Sequence, residues 1–252
     1  MIKLGLCSVT FRERSVEEVI DVAQKAGLQG IEWGADVHVP PGNLRRAMKV
    51  YDKTVAAGLE VSSYGSYYRL GHPDLGESFE DVVKTAAELK APGIRVWAGN
   101  QGSSEADAAY REHVVADLRR IADLAQQKEM AIHLEYHGGT LTDTEKSAER
   151  LLEDTHHQNV YAYWQPAVSE TVASRLNSIE TIRPWLSYVH VFHWQGRERR
   201  PFIEGVNEWK KYINALLSSE GERFLLMEFV KDDDVKQFLE DAEALKHLVE
   251  VI

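Results

Sequence analysis

The chain has 252 residues, 44% hydrophobic and 27% charged, which excludes a disordered or fibrous protein and allows one large core or two ordinary ones. Lys and Arg number 29 against 40 Asp and Glu, and the net charge of −11 argues against nucleic acid or an anionic membrane surface as a partner. Cys7, the single cysteine, excludes an internal disulfide, no apolar run approaches the ~18 residues of a membrane span, and no basic, apolar leader precedes Ile2, so a cytoplasmic protein is expected.

Short apolar runs recur along the chain: IKLGLC from residue 2, then LQGIEW, LEVSSY, GIRVWA, MAIHLEY, NVYAYW, LSYVHVF and RFLLMEF. They are rich in β-branched and aromatic residues and lack polar alternation, as expected of parallel strands covered on both faces. Each is followed by an amphipathic stretch. The first, SVEEVIDVAQKAG, opens on a capping box formed by Ser15 and Glu18 and stops at Gly27. The seventh is read as VNEWKKYINALLSSEG, and the eighth starts at Asp232–Asp234, acids placed where the helix dipole favours them. Eight strand-plus-helix units at about 30 residues each account for the whole length, so the fold class is α/β, a single (βα)8 TIM barrel over residues 1–252. An open doubly wound sheet is the competitor, but its GxGxxG turn is absent after the first strand, where Ser8-Val9-Thr10-Phe11 stands instead.

Barrels of this kind carry their chemistry at the C-terminal ends of the strands. There the last four runs place Glu135, Gln165, His190 and Glu228. A carboxylate closing an apolar run such as LLMEF is costly to bury unpaired, and a bound cation compensates two of them. Two carboxylates, an imidazole and an amide oxygen form a mixed set suited first to Mn²⁺ and also to Mg²⁺, Co²⁺ or Zn²⁺.

The strings EWGADVHVPPG, IRVWAG, LEYHGGTLTDT, YWQP, HVFHW and LMEFVKDD resemble the sugar phosphate isomerase/epimerases of the xylose-isomerase-like barrel superfamily over essentially the whole chain. The resemblance implies one divalent metal held by Glu135, Gln165, His190 and Glu228, with Gln165 standing where many members have Asp. It also implies that Glu135 and Glu228 act as an acid/base pair, moving a proton through an enediolate of a small sugar, keto-sugar or hydroxy-keto acid. The same chemistry ending in elimination, as in a dehydratase or lyase on a keto-sugar or inositol derivative, is the alternative. A sugar-binding barrel without catalysis is a further one, kept open by the neutral amide of Gln165. The superfamily's DNA-cleaving members carry additional ligands, and Val168 stands where one would be wanted.

Other rim residues each have a bland reading beside the functional one. His137, His193, Arg197, His38 and Tyr64 are candidate substrate contacts. The histidines are equally readable as solvated loop or packing residues, Tyr64 as a packing residue beside Tyr67 and Tyr68 on strand-end loops, and Arg197 as part of a solvated basic loop with Arg199 and Arg200. Glu32 is either a structural carboxylate or a substrate contact, and Arg95 is expected to pair internally with Glu32 or Glu135. Cys7 reads as a buried small residue. Barrels of this family often pair, so a homo-oligomer is compatible with the sequence, with Trp209 and Tyr212 on the seventh helix as candidate interface residues.

Overall fold

A computed structural model describes residues 1–72, 78–217 and 221–252. Eight barrel strands are present: β1 (Ile2–Cys7), β2 (Gly30–Gly34), β3 (Glu60–Arg69), β4 (Gly93–Trp97), β5 (Ala131–Glu135), β6 (Val160–Trp164), β7 (Leu186–Val191) and β8 (Arg223–Met227). All pair in parallel and close in the order β1-β8-β7-β6-β5-β4-β3-β2. Eight main helices alternate with them: α1 (Val16–Lys25), α2 (Leu44–Ala56), α3 (Phe79–Glu88), α4 (Ala108–Gln126), α5 (Glu145–Thr155), α6 (Val172–Ile182), α7 (Phe202–Leu217) and α8 (Val235–Glu250). A two-residue hairpin, Trp194–Gln195 with Glu198–Arg199, follows β7 at the barrel mouth. Among the described residues no helix is long and apolar enough to cross a membrane.

Local chemistry sets the helix starts. Ser15 and Glu18 form both halves of the capping box on α1. Asn43, Ser78, Asp107, Thr144, Thr171 and Asp234 each accept a first-turn backbone N–H, a contact that stabilises a helix by about 1 kcal/mol. Helix α7 departs from the expected start at Val206 and begins at Phe202, because Asp241 of α8 accepts the Phe202 N–H at 2.9 Å. That cap comes from another element and leaves no local signal. The expected end of the same helix falls on 218–220, outside the described residues.

Alternation along the strands divides two environments. Leu4, Leu6, Ile31, Trp33, Ile94, Val96, Ile132 and Leu134 face the helices and are buried there. The other face fills the lumen, where close approaches require glycine. A Cβ on Gly93 would collide with the His133 imidazole, and one on Gly65 would lie 2.8 Å from Arg95 Nη2 and 2.9 Å from Glu32 Oε1.

Three sequence expectations are corrected by the packing. Tyr64 is part of β3, which runs on to Arg69 instead of ending before the aromatics. Its ring is fully buried on the helix side and its hydroxyl donates to Val39 O at 2.7 Å, so it is no rim contact. Trp209 and Tyr212 are 1% exposed and pack edge-to-face against Trp164, which removes them as interface candidates.

Candidate active site and metal centre

The C-terminal end of the lumen is charged and buried. Glu32 lies mid-way along β2, Arg95 lies on β4, Glu135 ends β5, His190 lies on β7 and Glu228 follows β8, and none exceeds 6% exposure. Arg95 bridges two of the carboxylates: Nε donates to Glu32 Oε1 at 3.0 Å and Nη1 donates to Glu135 Oε2. Ser63 Oγ donates to Glu32 Oε2 at 2.6 Å, and Cys7 Sγ lies 3.2 Å from Glu32 Oε1. Trp97 Nε1 donates to Glu135 Oε2 as well, so that oxygen is held by two donors while Oε1 turns toward Gln165 Nε2 at 3.3 Å.

His190 stands at the centre. Its Nδ1 is 3.0 Å from Gln165 Oε1, 3.5 Å from Glu228 Oε2 and 3.9 Å from Glu135 Oε1. Its Nε2 is 3.5 Å from Glu32 Oε1 but has no aligned hydrogen-bond partner. Donor atoms of Glu135, His190 and Glu228 all lie within 4.8 Å of one another.

Charge follows geometry. Burial works to raise Glu32 and Glu135, but the Arg95 guanidinium together with His190 and the hydrogen bonds from Ser63 and Trp97 outweighs it and holds both below the usual carboxylate range. Glu228 goes the other way: burial pushes its carboxyl up, His190 opposes this, and the charge of Glu135 adds to the rise. Burial alone would depress His190, yet Glu228, Glu32 and Glu135 together push it up to about 9.

The donor set fits a divalent cation. Three carboxylates against one guanidinium leave two negative charges in a buried space when His190 is neutral, the charge such an ion balances; without the ion, the proton that His190 takes up offsets one of them. The His190 Nδ1 edge faces Glu135, Gln165 and Glu228, whereas the Nε2 edge faces Glu32, which is the arrangement of a metal-bound imidazole oriented by a carboxylate behind it. A second grouping of Cys7, Glu32 and His190 is also compact, but its single carboxylate is paired with Arg95 and its thiol is pushed up by burial, so it offers less negative charge than Glu135 with Glu228.

Above this layer a cleft opens in two connected lobes. The inner lobe, about 300 Å³, is bounded by Glu135, Glu228, Arg12, Tyr67, Trp97, Trp194 and Phe229. The outer, about 510 Å³, reaches Asp143 and Arg197, and the two share His137, Gln165, Val168 and Phe192.

Of the residues singled out from sequence, Glu135, Gln165, His190 and Glu228 converge, Arg95 pairs internally as expected, and His137 and Arg197 line the cleft. The His137 ring stacks on Trp97 at 4.9 Å between centroids. Two candidates do not reach the cleft. His38 is fully buried, its Nδ1 3.1 Å from Ser8 Oγ and its Nε2 3.0 Å from Arg14 O, so it fastens the rim loops from behind. His193 is half-buried with its imidazole against Gly205 of α7, on the opposite face to His190.

Arg12 and Phe229 line the cleft without having been foreseen. Arg12 follows the 3₁₀ turn Ser8–Phe11 and is held by Asp36 at 2.5 Å and the Tyr67 hydroxyl at 3.0 Å. Phe229 has a left-handed backbone (φ 57°), and its N–H donates to Thr10 Oγ1 at 3.0 Å. No sequence signal marks either one.

Residues 20–249 match the family described as xylose isomerase-like TIM barrel. The chain belongs to that family. Among curated relatives of this xylose isomerase-like barrel is a 3-dehydroshikimate dehydratase of Bacillus anthracis, 29% identical over 208 residues, covering 75% of this chain and 70% of the relative. A solved structure of the probable 3-DHS dehydratase AsbF from Bacillus anthracis superposes with a TM-score of 0.80 at 21% identity, over 97% of this chain and 98% of that one. D-allulose 3-epimerase from Methylomonas sp. gives 0.75 at 15% identity over 100% and 98% of the two chains. A xylose isomerase-like barrel from Mycobacterium smegmatis in complex with magnesium gives 0.73 at 14%, over 98% and 97%. These relatives share the barrel while including both epimerase and dehydratase chemistry.

Proposed function

We propose that the protein is a divalent-metal-dependent isomerase or epimerase of a small sugar, keto-sugar or hydroxy-keto acid, working by proton transfer through an enediolate. The observation that carries the reading is geometric: Glu135 and Glu228 reach His190 Nδ1 from different strand ends, at 3.9 and 3.5 Å, in one cleft. Two carboxylates placed in this way supply one group to take a proton from carbon and another to return one.

Glu135, Gln165, His190 and Glu228 would hold the metal, with Mn²⁺ as first choice among Mn²⁺, Mg²⁺, Co²⁺ and Zn²⁺. When bound, such an ion polarises the substrate oxygens and lowers the energy of the enediolate charge. Glu135, its Oε2 fixed by Arg95 and Trp97, takes the proton from the carbon next to the carbonyl. Glu228 delivers one to the neighbouring carbon or to the opposite face. His137 orients the hydroxyls of the reacting part of the substrate, Arg197 contacts the part that reaches the outer lobe, and Tyr67, Trp97, Trp194 and Phe229 give the inner lobe an apolar wall.

The dehydratase reading draws on the 29% identical Bacillus anthracis relative. It uses the same abstraction by Glu135, after which Glu228 protonates a departing hydroxyl. One experiment addresses both. The metal-supplemented protein is incubated with a panel of ketoses, keto-sugars and hydroxy-keto acids in D₂O, and products are read by NMR and mass spectrometry. Solvent deuterium at carbon with the carbon skeleton and its oxygens retained is expected; loss of 18 mass units of water would favour the dehydratase; neither deuterium at carbon nor loss of water in any member would overturn both.

A further inference from the structure

The inner lobe alone, at about 300 Å³, reaches the size at which a pocket takes a complete small ligand. A lone six-carbon substrate seated at Glu135 and Glu228 therefore leaves most of the outer lobe, about 510 Å³, open beside it. The two lobes adjoin, because His137, Gln165, Val168 and Phe192 belong to the walls of both.

The outer lobe has a composition of its own. Asp143 is anchored in its wall by the Ser103 N–H, which donates to Oδ2 at 2.9 Å, while Oδ1 is buried without a hydrogen-bond partner. Arg197, on the exposed hairpin turn beside Gly196, forms no ion pair with any described residue and borders the same lobe. Tyr136 and Phe192 add aromatic surface, and the loop backbone at Gly138 and Gly196 adds further polar groups. Five guanidinium donors and the loop carbonyls over aromatic walls match the alternating acceptor and donor hydroxyls of a polyol ring, which also has an apolar face to stack. A phosphate fits less well, because Asp143 would stand beside it.

We propose that the outer lobe is a second sugar subsite, so that the substrate is a glycoside or disaccharide whose reacting ring occupies the inner lobe while its second ring lies between Asp143, Arg197 and Phe192. This rests on the reading of the inner lobe as the reacting site and extends it to the class of substrate.

Binding without turnover tests the subsite separately from the reaction. The full chain is titrated by calorimetry with D-glucose, with D-glucose 6-phosphate and with a panel of sucrose, trehalose, maltose, cellobiose and lactose. At least one disaccharide is expected to bind tenfold or more tighter than glucose. Arg197→Met, at an exposed turn, and Ser169→Trp, which fills the outer lobe from an exposed position, are each expected to bring that ratio down to about one. Circular dichroism of both variants checks that the fold is retained. Disaccharides binding no more tightly than glucose, a ratio unmoved by both folded variants, or glucose 6-phosphate exceeding every disaccharide would each overturn the subsite. Failure of the D₂O exchange with the disaccharide preference intact would overturn the proposed reaction and leave the subsite standing.

Discussion

The two ends of the barrel lumen are built from the same strands and differ by one step of the pleat. At the lower layer β5 to β8 contribute His133, Tyr163, Tyr188 and Leu226; two residues further along they contribute Glu135, Gln165, His190 and Glu228. The lower layer is an aromatic plug. His133 stacks on Tyr188 at 5.5 Å, Tyr188 meets Phe224 edge-on, and Ser187 Oγ lies 2.8 Å from His133 Nδ1. Both imidazoles are buried, yet burial takes His133 down to about 4, whereas surrounding carboxylates take His190 up to about 9. Desolvation decides the charge of a buried imidazole only where no carboxylate surrounds it.

The comparison breaks most sharply at the carboxylates. Glu135→Gln or Glu228→Gln is expected to reduce solvent exchange by ~10²–10⁴-fold, the usual contribution of a positioned acid or base, measured as deuterium incorporation per unit time. Exchange retained in both variants would remove the assignment of the pair. Arg95→Met comes next. It strands Glu32 and Glu135 in a buried space, and a loss on the order of 3–5 kcal/mol is expected in urea unfolding of the metal-free protein.

The plug responds to acid in a defined direction. His133 is depressed in the fold, so below its unfolded value of 6.5 the unfolded chain binds the extra proton first. Its contribution to stability is complete above pH 6.5 and falls progressively down to about pH 4, by about 3 kcal/mol in all. Comparing urea midpoints of His133→Phe with the parent across that window should show a flatter acid limb; identical limbs would contradict the account. The smallest effect is expected at His193, which faces α7: His193→Gln should destabilise by about 1 kcal/mol while turnover stays within about twofold.

The barrel was legible because each apolar run and amphipathic stretch declares its element through local pattern alone. The charged layer was legible for a related reason, since Glu135 and Glu228 close apolar runs where an unpaired carboxylate is costly, and period-two alternation puts Arg95 inside with them. What failed depended on how loops return. His38 lies beyond the end of β2, on the functional rim by chain position, but the turn after Gly34 folds back, with Val39 N–H donating to Gly34 O at 3.1 Å, and carries the ring behind the cleft. Arg12 and Phe229 enter the cleft through a 3₁₀ turn and a left-handed residue, geometries fixed by tertiary contacts with Asp36 and Thr10.

Divalent-metal titration of chelator-treated protein tests most directly whether the charge surplus at the upper end of the lumen is a metal centre. Followed by Mn²⁺ electron paramagnetic resonance, the protein is expected to bind one ion per chain, with affinity lost in His190→Ala and weakened in Glu228→Gln. An absence of stoichiometric binding, or binding unchanged in both variants, would contradict the account.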